Sequence, residues 1–148
     1  MTYCNCMNEI ITKTIEETYK LASDFVSESV RGGLVLCLQG DLGAGKTTFT
    51  QGVLKEFGAE GPYTSPTFNI VKEYYVDKHK IEIIYHIDAY RINSDDMELI
   101  GWRDIVNNDK ALIIIEWPEN VQDILPSDVS VILCEMIDEK RHKYTFKF

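Results

Sequence analysis

The chain has 148 residues, of which 45% are hydrophobic and 26% are charged. These values are typical of a soluble globular protein, so we expect residues 1–148 to form a single domain, with about residues 1–10 frayed. The 24 acidic and 15 basic residues give a formal net charge of −9, which disfavours a protein that holds a nucleic acid backbone by itself.

The distribution of apolar residues disfavours a membrane protein. The longest apolar runs, Leu34–Leu38 and Ala111–Ile115, have five residues each, whereas a membrane-spanning helix needs about 20. The first residues lack the basic and apolar segments of a secretory signal. Cys37 and Cys134 lie in apolar, strand-like runs, which is typical of buried free thiols. We therefore expect a cytoplasmic protein.

The first half of the chain predicts a helix, a strand and a second helix. Thr14 and Glu17 form a capping box, and Arg31–Gly33 ends the helix that follows. One face of this helix carries apolar residues at spacings of four and three: Ile15, Tyr19, Ala22 and Val26. Leu34–Gln39 is predicted to be a fully buried strand, and the second helix runs from about Lys46 to Phe57.

The second half predicts mainly strands. Phe68–Val76 and Ile81–Tyr90 flank Asp77–Lys80 and indicate a β-hairpin. The remaining predicted elements are a short helical stretch over Ser94–Val106 interrupted near Gly101, a buried strand Leu112–Ile115, and a closing hairpin of Asp128–Ile137 and His142–Phe148. Together these elements predict one α/β domain with a mixed sheet.

The segment Gly40–Thr48, with the sequence GDLGAGKTT, matches the phosphate-binding loop pattern G-x-x-x-x-G-K-[ST]. Its glycines let backbone N–H groups converge on an anion, and the following helix adds its N-terminus. Lys46 supplies a positive charge for the β- and γ-phosphates, and the Thr47 hydroxyl suits Mg²⁺. The alternative is a glycine-rich turn without a ligand. The predicted nucleotide contacts are Asp41, Gly43, Ala44, Gly45, Lys46, Thr47 and Thr48.

Two carboxylates lie at or near the ends of predicted strands and are candidates for the Mg²⁺ site. Glu116 follows Leu112–Ile115, and Asp88 lies near the end of the hairpin strand. Either residue can instead be an ordinary cap or turn residue. His86 shares a strand face with Asp88, which indicates either a catalytic cluster or a polar sheet edge. A histidine in this position more often packs and hydrogen-bonds than performs catalysis.

Two further segments leave alternatives open. Thr64–Thr67 is either a switch-like loop whose hydroxyl closes on the γ-phosphate or a proline-stiffened turn. Cys4 and Cys6 lack a second pair of ligands at zinc spacing, so we predict no metal site there.

The motifs taken together resemble the TsaE (YjeE) family, the small bacterial ATPases of tRNA threonylcarbamoyladenosine synthesis. The matching segments are Gly40–Thr48, Ser65–Phe68, His86–Arg91, Glu98–Gly101 and Glu116–Pro118. The first motif is shared by many families, whereas its combination with His-x-Asp-x-Tyr-Arg and Glu-Trp-Pro is much more specific.

The resemblance implies a P-loop NTPase fold, a mainly parallel sheet flanked by helices, that binds ATP and Mg²⁺. It implies that Lys46 holds the phosphates and that Thr47 and Glu116 hold Mg²⁺. It also implies that hydrolysis depends on Asp88, so the candidate catalytic residues are Lys46, Asp88 and Glu116. The resemblance further places Ser65 and Thr67 in the switch-like loop and the start of the first helix, Thr14–Glu16, near the adenine. A nucleotide contact from Lys140 or Arg141 is an additional hypothesis.

The resemblance also implies partners. Members of the family work with TsaB and TsaD, and TsaD transfers the threonylcarbamoyl group to a tRNA adenosine. ATP hydrolysis then supports or resets that complex, and tRNA is contacted only through the partners. The alternatives are a small-molecule P-loop kinase, which the four widely separated arginines disfavour, and a nucleotide-gated assembly module. A GTPase is disfavoured because the chain has no Asn-Lys-x-Asp segment.

Overall fold

A seven-stranded sheet organises the part of the chain that the computed structural model describes, which is residues 8–63 and 70–147. The strands are Asn8–Thr12 (β1), Leu34–Gln39 (β2), Val71–Lys78 (β3), Ile81–Asp88 (β4), Ala111–Glu116 (β5), Ser130–Met136 (β6) and His142–Lys147 (β7). The helices are Ile15–Ser29 (α1), Lys46–Glu56 (α2), Ser94–Leu99 (α3) and Trp102–Val106 (α4), and Pro118–Ile124 forms a 3₁₀ helix.

The strand order is β1-β7-β6-β2-β5-β4-β3. The four central strands β6, β2, β5 and β4 are parallel to one another. The outer strands β3, β7 and β1 pair antiparallel with their neighbours. The predicted fold class, a mixed and mainly parallel sheet flanked by helices, is therefore confirmed. No helix of the described residues is long and apolar enough to cross a bilayer.

Helices cover both faces of the sheet, which explains why β2 and β5 are uninterrupted apolar runs. Along β2, Leu34, Leu36 and Leu38 belong to the core layer that contains α1 and α2. The alternating residues Val35 and Cys37 belong to the other layer, which contains α3 and α4. Because both faces of β2 pack against apolar side chains, the strand that leads into the phosphate loop is held in place from both sides of the sheet.

The pairing of α1 with α2 places the start of α1 beside the phosphate loop. The Thr14 hydroxyl caps α1 by accepting a hydrogen bond from the Glu17 N–H at 3.0 Å, as predicted. The Glu17 carboxylate accepts from the Lys13 N–H at 2.6 Å instead of the Thr14 N–H, so only half of the predicted capping box is formed. The two helices approach closely at Gly52, where a Cβ atom would lie 2.7 Å from the methyl carbon of Ala22. A larger residue at that position would push the helices apart.

Several predicted boundaries need correction. Asn8–Thr12 is a strand paired with β7, so the expected fraying of residues 1–10 is wrong for residues 8–10. Residues 1–7, including Cys4 and Cys6, lie outside the described residues. The hairpin turn is shorter than predicted, because His79 and Lys80 both adopt positive φ angles and allow β3 to continue to residue 78. The interruption at Gly101 is confirmed, whereas the 3₁₀ helix was not predicted.

Candidate nucleotide-binding site

The phosphate loop connects the C-terminal end of β2 to the N-terminus of α2. Its backbone requires glycine at two positions. Gly40 has φ +154° and a Cβ there would lie 2.3 Å from the Cys134 carbonyl oxygen, while Gly45 has φ +102° and a Cβ would lie 2.4 Å from the Tyr144 hydroxyl. Gly45 is followed directly by the N-terminus of α2, and helix N-termini favour anions because their first N–H groups point out of the helix.

Strand β7 supports this loop from the side. The Tyr144 hydroxyl donates a hydrogen bond to the Gly45 carbonyl at 3.0 Å, and His142 Nδ1 lies 3.1 Å from the Ala44 carbonyl oxygen. Tyr144 also hydrogen-bonds Thr18, and its burial raises the pKa of the phenol, which keeps the hydroxyl a donor. Neither supporting residue was predicted from the sequence. The one available indication was that a buried tyrosine normally needs a hydrogen-bond partner.

The side chain of Lys46 lies along the loop and is only 6% exposed. Its ammonium group donates to the carbonyls of Gly40 and Asp41, the latter at 3.1 Å, and it lies 4.1 Å from the centre of the Trp117 ring. Trp117 adopts a left-handed backbone conformation with φ +60°, which is rare for a large residue. The positive charge expected to meet the phosphates is thus held at the loop by carbonyl oxygens and an aromatic face.

The two predicted carboxylates end neighbouring parallel strands. Asp88 on β4 is in register with Glu116 on β5, and both line the same cleft. The Thr47 hydroxyl donates to Glu116 Oε1 at 3.3 Å, and His86 Nε2 lies 2.7 Å from Glu116 Oε2. Asp88 is half-buried, and its Oδ1 accepts a hydrogen bond from the Tyr90 N–H at 3.0 Å. The structure therefore joins Thr47, Glu116 and His86 directly and places Asp88 beside them.

The segments that follow the two carboxylates are held together. The Asn120 amide donates to the carbonyls of Ala89 and Tyr90 at 2.8 and 3.2 Å. The rings of Tyr90 and Trp117 pack with their centres 4.9 Å apart. These contacts fix the ends of β4 and β5 relative to each other and keep the Trp117 ring over Lys46.

A cleft of about 650 Å³ extends from the phosphate loop toward the start of α1 and the β6–β7 turn. Its lining includes Lys13, Thr14 and Ile15 at the start of α1 and Glu139 and Lys140 from the β6–β7 turn. This volume is in the range of small-molecule sites. Arg141 is instead ion-paired with Asp138, at 2.8 Å.

Among residues 8–63 and 70–147, no group of three or more His, Cys, Asp or Glu side chains is placed to hold a metal ion. Mg²⁺ in phosphate-binding sites typically takes only one or two protein oxygens together with substrate phosphates and water. The hard oxygens of Thr47 and Glu116, 3.3 Å apart, fit that requirement. The candidate switch residues Ser65 and Thr67 lie outside the described residues.

The family model described as "Threonylcarbamoyl adenosine biosynthesis protein TsaE" matches residues 12–144. This chain belongs to the TsaE family. The resemblance stated from the motifs is thereby confirmed, and it extends over most of the chain rather than over the phosphate loop alone.

Individual TsaE relatives are similar over nearly the whole length of the chain. The tRNA threonylcarbamoyladenosine biosynthesis protein TsaE of Aquifex aeolicus is 36% identical over 140 residues, which cover 93% of each chain. The TsaE protein of Bacillus subtilis is 32% identical over 142 residues, covering 95% of this chain and 86% of the relative. The crystal structure of Bacillus subtilis YdiB matches with a TM-score of 0.73 at 28% identity, covering 98% of this chain and 87% of that chain.

Proposed function

We propose that this protein is the ATP-hydrolysing subunit of the machinery that makes threonylcarbamoyladenosine in tRNA. It acts as a single cytoplasmic domain on TsaB and TsaD, whose threonylcarbamoyl transfer it supports or resets by hydrolysing MgATP, and it meets tRNA only through them. The observation that carries the proposal is the direct contact of Thr47 with Glu116 at the mouth of a phosphate loop. The names of the TsaE relatives support the pathway.

In this proposal the phosphate loop binds the phosphates of ATP. Lys46 leaves its carbonyl partners and moves its charge toward the β- and γ-phosphates, while the first N–H groups of α2 bind the phosphate oxygens. The adenosine extends along the cleft toward Thr14 and Ile15. The proposed nucleotide contacts are Asp41, Gly43, Ala44, Gly45, Lys46, Thr47 and Thr48.

Thr47 and Glu116 would hold Mg²⁺, because their oxygens are hard ligands and already face each other. When bound, Mg²⁺ neutralises the charge that develops on the phosphate oxygens. Asp88 ends the neighbouring strand in the same cleft, where its carboxylate orients the attacking water. The catalytic residues of this proposal are therefore Lys46, Asp88 and Glu116.

The first test is ATP hydrolysis by the purified protein alone, with TsaB, with TsaD and with both. We expect a slow basal rate that rises only when both partners are present, since switch-like sites are often completed by a partner. An unchanged rate would favour the two alternatives, a nucleotide-gated assembly module or a small-molecule kinase, and would start a search for an acceptor.

Three variants assign the roles. Lys46→Ala should weaken ATP binding at least tenfold, because it removes charge-assisted contacts worth about 1.5–3 kcal/mol. Asp88→Ala should bind ATP normally and lose turnover, and Glu116→Ala should lose the dependence of ATP binding on Mg²⁺. The control is Lys55→Ala, since Lys55 lies on the same helix but stacks on the Tyr19 ring outside the cleft. Normal hydrolysis by Asp88→Ala would show that its assignment is wrong.

A further inference from the structure

His86 is a buried polar residue beside the candidate metal site. It lies on β4, two residues before Asp88, and is 2% exposed. Its Nε2 atom is 2.7 Å from Glu116 Oε2, and both side chains are almost fully buried. Hydrogen bonds of this length that involve a carboxylate are among the stronger ones in proteins. The pair is therefore a fixed part of the site.

The two oxygens of Glu116 have different partners. Oε2 faces His86, whereas Oε1 accepts the hydrogen bond from Thr47 at 3.3 Å. A carboxylate that is held at one oxygen cannot rotate freely about its terminal bond. The hydrogen bond to the imidazole therefore fixes the orientation of the carboxylate, with one oxygen facing Thr47.

The other ring nitrogen of His86 makes a purely packing role unsatisfactory. Nδ1 is buried and has no hydrogen-bond partner among the described residues. A histidine that only joined two parts of a core would be expected to pair both nitrogens, because an unpaired buried polar atom costs free energy. Since an ionised carboxylate can only accept, the Nε2 atom that faces Glu116 carries a proton and donates it in this hydrogen bond.

We infer that His86 is a positioning residue for Mg²⁺. It holds Oε2 of Glu116 so that Oε1 is presented to Thr47 and to the ion. This inference rests on the proposed function, because it assumes that Glu116 and Thr47 hold Mg²⁺. Outer residues that orient a metal-binding side chain in this way commonly matter almost as much as the binding side chain itself.

A matched pair of variants tests the role. His86→Gln and His86→Met have side chains of similar length and shape, but only the glutamine amide can donate a hydrogen bond to Oε2. Binding of ADP is measured by calorimetry at increasing Mg²⁺ concentrations and again in EDTA. Thermal melting of each variant shows whether it is folded. Ile84→Val, at another fully buried position of β4, is the control for a simple loss of packing.

We expect His86→Met to raise the Mg²⁺ concentration at half-maximal enhancement of ADP binding by about 10-fold or more. His86→Gln should remain within about threefold of the parent protein, since it keeps the donor. Binding in EDTA should be the same in the parent and both variants. The inference would be overturned if His86→Met and His86→Gln needed the same Mg²⁺ concentration for half-maximal enhancement of ADP binding. It would also be overturned if the variants lost as much ADP affinity in EDTA as with Mg²⁺.

The parent protein shows whether the proposed function itself fails, separately from the role of His86. If the parent protein binds ADP equally well with and without Mg²⁺, the metal site itself is wrong. The position of the proton on the His86 ring can be measured in the parent protein, so this test does not depend on a variant that folds. Long-range ¹H–¹⁵N correlation spectra of the parent, with three histidines to assign, should show the His86 proton on Nε2. A proton on Nδ1 alone would also overturn the inference.

Discussion

The close approach of Gly45 and Tyr144 makes a double-mutant test possible. Replacing Gly45 by alanine forces a residue with a side chain into φ +102° and places its Cβ 2.4 Å from the Tyr144 hydroxyl. The same hydroxyl donates a hydrogen bond to the Gly45 carbonyl. Gly45→Ala therefore combines backbone strain with a steric overlap that depends on one oxygen atom of another strand.

The two costs can be estimated separately. A left-handed conformation costs an alanine about 1–2 kcal/mol, and overpacking in a dense interior costs about 1–3 kcal/mol. The free energy of unfolding should thus fall by about 2–5 kcal/mol in Gly45→Ala. For a chain of this length each kcal/mol lowers the melting temperature by roughly 2–4 °C. In Tyr144→Phe the overlapping oxygen is absent, so Gly45→Ala should cost mainly the strain.

Urea denaturation of the parent, the two single variants and the double variant measures this coupling. We expect a coupling free energy of about 1–2 kcal/mol, with the double variant more stable than the sum of the single effects predicts. Gly43→Ala is the matched control, since Gly43 has φ +78° in the same loop but a Cβ there would meet no atom of the described residues within 4 Å. Additivity within about 0.5 kcal/mol for Gly45 and Tyr144 would refute the reasoning.

Two further predictions concern the thiols and the tryptophan. Burial raises the pKa of both Cys37 and Cys134 to about 12, from 9.0. Since the folded protein then binds these protons more tightly than the unfolded chain, stability is retained below pH 9 and falls by about 1.4 kcal/mol per pH unit and thiol between pH 9 and 12. Urea denaturation at several pH values in this range should show that the free energy of unfolding falls less steeply with pH in Cys134→Ala than in the parent. An unchanged slope would contradict the raised pKa of Cys134. MgATP should also change the emission of Trp117 as Lys46 leaves its ring, and the change should disappear in Trp117→Phe but persist in Trp102→Phe.

The elements that were predicted correctly are those with strong local patterns. Leu34–Gln39 is flanked by glycines and apolar on both faces, and its bounds were predicted as the structure has them. Thr14 and Glu17 are three residues apart, so their cap was visible locally. Strand β1 was missed because four of its five residues are exposed and its pairing depends on β7, far along the chain.

The candidate site was predictable in its residue types but not in its contacts. The phosphate loop and Glu116 follow from short motifs, and the structure places residues 42–48 of the loop and Glu116 in one cleft. The support of the loop by Tyr144 requires β7 to lie beside it, which no local pattern indicates. The bond between His86 and Glu116 similarly depends on β4 being the direct neighbour of β5. The roles assigned to Lys46, Asp88 and Glu116 stay predictions until the variants are measured.

The pairing of β1 with β7 also has a consequence for protein synthesis. A ribosome that has translated the chain through α2 has made the whole glycine-rich loop, but not Tyr144 or His142, which brace it. Strand β1 likewise cannot form its backbone pairing until residues 142–146 of β7 have been synthesised. Because such distant contacts form late in folding, a nascent chain carries an unbraced loop. If the loop binds ATP as proposed, we therefore expect ATP binding only after β7 has been synthesised and Tyr144 and His142 contact the loop.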